Sequence, residues 1–261
     1  MRLTGTRPFH HGVPRDRATS IAVVRRAVEL GVDHIDTASF YFSQTRSANE
    51  LINSALAPLD RSLADELTIV TKVAPFRDIH GEWGDGGPLR GQVEENLRQL
   101  GRDRMDVVNL RFGRVGDDIR PGVAELADLV EEGLVGHVGI SAVTLAQLEA
   151  TVAVADVVCV QNKFAVDAPE DLAILRRCGE LGIAFVPFFA IAGTGGEEPP
   201  AVRDVAAEVG ATPSQVRLAW TLALGEHVLA IPGTGSVEHL EENVAAASLR
   251  LTDEQVERLH P

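Results

Sequence analysis

Short apolar runs alternate along this chain with segments whose apolar residues recur every three to four positions. Eight runs read as strands: 2–6, 33–36, 68–73, 105–111, 137–141, 157–161, 183–188 and 228–231. Between them the helical period predicts helices over 19–30, 89–100, 122–132 and 170–181. In 89–100, Val93, Leu97 and Leu100 fall at i, i+4 and i+7 and make one apolar stripe. Helix starts are marked by capping boxes at Thr144–Gln147, Thr212–Gln215 and Thr252–Gln255, with Pro213 in the first helical position. Gly31, Gly101, Gly133, Gly182 and Gly210 stand where helices end.

Strand–helix alternation repeated without a linker or low-complexity break predicts a parallel sheet covered by helices. The length of 261 residues matches one α/β domain, a (β/α)8 TIM barrel spanning 1–261. The rival is a dinucleotide-binding doubly wound sheet. That fold wants Gly-x-Gly-x-x-Gly after its first strand, a pattern Gly5 and Gly12 do not make. In a barrel the long segments 74–88, with Trp83, and 193–196 follow strand ends on the face where active sites form.

Composition narrows the partners. A net charge of −14 argues against a broad nucleic-acid or acidic-membrane surface, because both need excess cation. No apolar run is long enough for a membrane helix, and the first residues lack a signal-peptide pattern. Cys159 and Cys178 have no metal-ligand spacing, and His10-His11 lacks spaced partners, so no metal is expected. The expectation is a cytoplasmic protein, monomeric or weakly homo-oligomeric, that acts on a small molecule and binds neither nucleic acid nor membrane.

The chemistry gathers at strand exits. Tyr41 is the only tyrosine in the chain and follows Asp36 by five positions. Lys72 closes the third strand-like run and Arg111 the fourth. A barrel brings such positions to one rim. An ammonium beside a phenol favours the phenolate, and a carboxylate holds the lysine charged and oriented. A phenol tuned in this way can give its proton to a substrate oxygen.

The ordered series Asp36-Thr-Ala-x-x-Tyr41, Thr71-Lys72, Asp106-Val-Val-Asn-Leu-Arg111, Gly139-Ile-Ser141, Gln161, Ile231-Pro-Gly-Thr-Gly235 and Glu242-Asn243 resembles the aldo-keto reductase superfamily. It is most similar to the bacterial pyridoxal reductase-like branch. The resemblance implies hydride transfer from NADPH to an aldehyde or ketone, with Tyr41 as proton donor tuned by Asp36 and Lys72. It implies that Ser141 and Gln161 hold the nicotinamide carboxamide and that Phe188 stacks on the ring. It also implies that the segment from Pro232 through Gly233, Thr234, Gly235, His239, Glu242 and Asn243 holds the adenosine end.

Three departures stand out. Arg111 replaces the histidine of many members; an arginine stays charged, so it can polarise a carbonyl oxygen or pair with an anionic group but relays no proton. Ala142 replaces a common asparagine. Gly233 and His239 stand where many members carry cations for the 2′-phosphate, so NADP(H) is the expected cofactor and NAD(H) stays open. Two other readings stay open at this point: a non-catalytic NADP(H)-binding sensor or subunit, and a lyase or isomerase using Lys72 as a Schiff-base amine.

Overall fold

The computed structural model describes residues 2–5, 13–43, 46–60, 66–111, 117–193 and 195–260, without the side chains of Phe76, Arg77 and Asp85; in 66–111, residues 78–81 are also outside the description. Thr6, His10, His11 and Thr194 lie outside the described residues. The chain divides into two compact units. One comprises Met1–Val158 with Gly233–Val237, the other Cys159–Pro232 with Glu238–Pro261.

The first unit opens with α1 (Arg17–Glu29), whose N-cap Asp16 accepts from the Thr19 backbone amide at 2.8 Å. Strand β1 (His34–Asp36) follows, then a short hairpin of β2 (Phe42–Ser43) and β3 (Arg46–Ser47), and α2 (Ala48–Leu56). Next come β4 (Thr68–Val73), a second hairpin of β5 (Pro75–Arg77) and β6 (Trp83–Asp85), α3 (Leu89–Leu100), β7 (Met105–Arg111), α4 (Arg120–Glu131), β8 (Val135–Ser141) and α5 (Leu145–Thr151). Strand β9 (Val157–Gln161) begins in this unit and ends in the other. The second unit adds α6 (Leu172–Leu181), β10 (Ala184–Phe185), α7 (Pro200–Val209), α8 (Pro213–Ala223), most of α9 (Val237–Ala245) and α10 (Asp253–Leu259).

The main sheet has strand order β1-β4-β7-β8-β9-β10. The β1–β4, β4–β7, β7–β8 and β9–β10 pairings are parallel, with Asp36 beside Val70, Lys72 beside Asn109 and Arg111 beside Ser141. Strand β4 is buried on both faces after its first residue, the signature of a parallel strand covered by helices. This is an α/β fold with a parallel sheet. The expected strand 228–231 is instead an isolated parallel bridge between Val228 and Phe185, although Leu229 still donates its backbone amide to Phe185 O at 2.9 Å. Among the described residues of the expected strand 2–6, only Gly5 makes a bridge, to Pro14. Neither segment sustains a ladder: the bridge partners are single residues, and Pro14 has no amide to donate.

The three expected capping boxes are present, each with its threonine accepting from the glutamine amide three residues on. The segment 74–88, read from sequence as a loop, carries the β5–β6 hairpin, in which Trp83 faces Arg77 in the register. Cys159 and Cys178 are buried and stand outside any disulfide, and burial pushes the Cys178 thiol up to about 12. Among the described residues no helix is long and apolar enough to cross a membrane.

Candidate active site

The end of β1 and the end of β4 lie side by side, so Asp36 and Lys72, thirty-six positions apart, meet. Lys72 Nζ donates to Asp36 Oδ1 and Oδ2, both at 2.7 Å, and to the Thr37 carbonyl at 3.0 Å. Both side chains are buried. The ammonium sits 5.4 Å from the centroid of the Tyr41 ring. The turn after β1 fixes that ring: Tyr41 donates its amide to Ala38 O at 3.0 Å, and its own carbonyl accepts from Ala48 N at 2.8 Å.

Burial raises the Tyr41 phenol above the ordinary tyrosine value. The Lys72 charge and a hydrogen bond from Lys72 oppose this, helped by the Arg111 charge, while the Asp36 carboxylate adds to the rise. The sequence expectation of a lowered phenol is therefore reversed: desolvation outweighs the cations, because the phenolate would lose its water. A phenol that keeps its proton at neutral pH is a proton donor in its working form.

Arg111, at the end of β7, donates from Nη1 to Ser141 Oγ at 3.3 Å across the β7–β8 pairing. Its half-buried guanidinium is desolvated, and it senses the charges of Tyr41 and Asp36. Asp118, close to it in sequence, pairs with Arg120 at 2.8 Å, which brings the Asp118 carboxyl down to about 2. Ser141 is fully buried and accepts from Arg111, which leaves its own proton for another acceptor. Ala142 follows with a left-handed φ of 58°, a conformation that asparagine tolerates better than alanine.

Asp36, Tyr41, Lys72, Arg111 and Ser141 are thus brought together within the first unit. Gln161 and Phe188 lie in the second. Gln161 ends β9 and is buried, whereas Phe188 is half-buried, donates its amide to Asn162 O at 2.9 Å and meets Phe189 edge-on with ring centroids 5.3 Å apart.

The segment before α9 is divided. Gly233, Thr234 and Gly235 belong to the first unit; Pro232, His239, Glu242 and Asn243 belong to the second. Thr234 Oγ1 accepts from the Ser236 amide at 3.1 Å and shapes the turn into α9. His239 is exposed, and the Glu242 carbonyl accepts from Gln215 Nε2 at 3.1 Å.

Sequence reasoning missed Arg15. Its Nη1 donates to the Gly235 carbonyl at 3.2 Å, and its Nε is buried without a hydrogen-bond partner. A Cβ on residue 235 would come within 2.4 Å of that Nε, so the guanidinium occupies the space a side chain would take. No spacing rule links residues 220 positions apart; only the fold puts this cation on the glycine turn. A turn of backbone amides at a helix start, with an arginine nitrogen lacking a partner, fits an anionic group.

These features define an α/β protein with a buried carboxylate–ammonium pair beneath a protonated phenol. The chain belongs to the aldo/keto reductase family, whose model matches residues 3–260. It is 41% identical over 268 residues to pyridoxine 4-dehydrogenase of Escherichia coli (strain K12), covering 99% of this chain and 91% of that protein. It is 33% identical to an uncharacterised oxidoreductase of Schizosaccharomyces pombe, covering 99% of this chain and 83% of the relative. Among solved structures, an aldo/keto reductase from Klebsiella pneumoniae in complex with NADP and acetate aligns with TM-score 0.78 at 25% identity, covering 93% of this chain and 84% of that one.

Proposed function

We propose that this chain is an NADP(H)-dependent reductase that converts an aldehyde or ketone to an alcohol, with pyridoxal as the first substrate to test. The observation that carries the reading is the Lys72 ammonium, bound by both oxygens of Asp36 and set under the ring of the only tyrosine. The 41% identity to a pyridoxine 4-dehydrogenase supports the substrate class, and the relatives solved with NADP or NADPH support the cofactor.

NADPH, when bound, supplies the hydride. Tyr41 gives its phenolic proton to the carbonyl oxygen as that oxygen gains charge. Lys72 stabilises the phenolate left behind, and Asp36 keeps the Lys72 nitrogen pointed at it. Arg111 stabilises the developing oxyanion; its guanidinium holds the proton throughout, so it acts by charge alone. Ser141 and Gln161 are assigned to the carboxamide and Phe188 to the nicotinamide ring. Gly233, Thr234 and Gly235, with Pro232, His239, Glu242 and Asn243, are assigned to the adenosine end, where Arg15 adds a cation.

The reading includes a single (β/α)8 barrel, in keeping with the strand–helix alternation and the family. It also includes a cytoplasmic site of action, where two buried cysteines outside any disulfide are at home. A monomer or weak homo-oligomer completes it, since every member of the proton-donor group belongs to one chain.

The test is the loss of NADPH absorbance with pyridoxal and a panel of aldehydes. Wild type should turn over at least one of them, and Tyr41→Phe should be slower by about 10²-fold or more. Full turnover by Tyr41→Phe would remove the assignment of the proton donor.

A further inference from the structure

Behind the Asp36–Lys72 pair runs a chain of four buried polar side chains. Thr37 Oγ1 donates to Asn49 Oδ1 at 2.7 Å, and Asn49 Nδ2 donates to Asn96 Oδ1 at 2.9 Å. Thr71 Oγ1 donates to the same Asn96 oxygen at 2.6 Å, and Asn96 Nδ2 donates to the Gln92 carbonyl at 2.8 Å. None of the four is more than 1% exposed.

Both ends of this chain abut the pair. Thr37 follows Asp36, and its carbonyl accepts from Lys72 Nζ at 3.0 Å. Thr71 precedes Lys72 in β4. The two asparagines come from α2 and α3, so the helices reach through the core to fix the residues on either side of the ammonium. The sheet ladder sets the backbone of β1 and β4 but leaves the Thr37 carbonyl at the strand exit, where the pairing ends. Apolar residues would fill this core at less risk, because a polar network there must be fully satisfied to be tolerated. Here Asn96 Oδ1 uses both of its acceptor positions, and every threonine hydroxyl has a partner.

We infer that Asn49 and Asn96 are positioning residues for proton transfer: acting through Thr37 and Thr71, they hold the Lys72 ammonium in place under Tyr41. The inference rests on the proposed role of Tyr41 as proton donor.

Thr37→Val removes one hydroxyl at nearly constant volume, and Thr37→Ser keeps it. A second variant, Thr37→Val with Asn49→Leu, Thr71→Val and Asn96→Leu, makes the whole chain apolar and strands no single polar group, so it keeps a fold on which to measure. Because Tyr41 is the only tyrosine, ultraviolet difference absorbance titrates its phenol directly. Thr37→Val and the fourfold variant should lower kcat at least about tenfold, leave NADPH binding within about twofold and move the phenol titration to higher pH; about tenfold corresponds to the loss of one modest interaction. Thr37→Ser should restore both kcat and the titration. A fourfold variant with wild-type kcat, or a lowered kcat with an unmoved titration, would overturn the inference and leave the chain as packing. Lys72→Met assayed alongside separates the two levels: wild-type turnover in that variant would sink the underlying site assignment itself.

Discussion

Lys72 Nζ lies 2.7 Å from each carboxylate oxygen of Asp36, and the two side chains are 1% and 8% exposed. Such a pair has little access to water, so each partner depends on the other. Asp36→Asn or Lys72→Met alone should lower the unfolding free energy by about 3–5 kcal/mol, the usual cost of stranding one buried charge. The double variant should lose less than the two singles combined. Urea denaturation of the four proteins measures this cycle, and additive losses would show that the two groups are not coupled.

The raised phenol sets the pH behaviour of turnover. Because burial outweighs the neighbouring cations at Tyr41, the proton stays on the oxygen below the ordinary tyrosine value of about 10. With Tyr41 as the proposed proton donor, carbonyl reduction uses its protonated phenol and should show no Tyr41-dependent loss up to about pH 10. Alcohol oxidation uses the phenolate and should rise with pH across the same range. A reductive rate that falls near neutrality because this phenol ionises, as seen by its absorbance, would contradict the environment described here.

Arg15 on the Gly235 turn bears on cofactor choice. An arginine facing a phosphate gains charge-assisted hydrogen bonds that a ribose hydroxyl cannot match. Arg15→Ala should weaken NADPH binding by about tenfold, roughly 1.4 kcal/mol, and change NADH binding by less than about twofold. Fluorescence titration with each cofactor checks this, and equal losses for both would assign Arg15 a packing role.

His34 gives the fold an acid-sensitive point. Its Nε2 is buried without a hydrogen-bond partner, and burial lowers its pKa; the Asp36 and Asp33 charges oppose that, and the Lys72 charge adds to it. With the folded value below the unfolded value of about 6.5, the unfolded chain takes up the proton first. The His34 contribution is therefore flat above about pH 6.5 and destabilises as pH falls below it. His34→Leu should melt with a smaller decline than wild type between about pH 7 and about pH 5.5. Parallel declines would show that His34 is free to charge in the folded protein.

Legibility from sequence followed the range of the interactions. Asp36, Lys72 and Arg111 were legible because strand ends in a parallel sheet converge, a rule needing only the order of the elements. The capping boxes were legible because both partners lie within four residues. Arg15 was not, since its partner Gly235 lies across the chain. The direction of the Tyr41 shift was misread for a related reason: its cations are visible in sequence, but the depth of its burial is a property of the packed structure. Asn49 and Asn96 read as ordinary helix residues until the helices are packed and their amides meet.

The clamp on Lys72 has one more effect. The chain carries 24 basic residues, of which only Lys72 and Lys163 bear a primary amine. Aldehydes condense with unprotonated amines, so a catalyst that handles them risks derivatising itself. The Lys72 nitrogen is engaged by two carboxylate oxygens and a carbonyl, and apart from the exposed Lys163 the other basic side chains are guanidiniums. The contact proposed to orient proton transfer thereby also holds the Lys72 nitrogen away from condensation with a carbonyl compound.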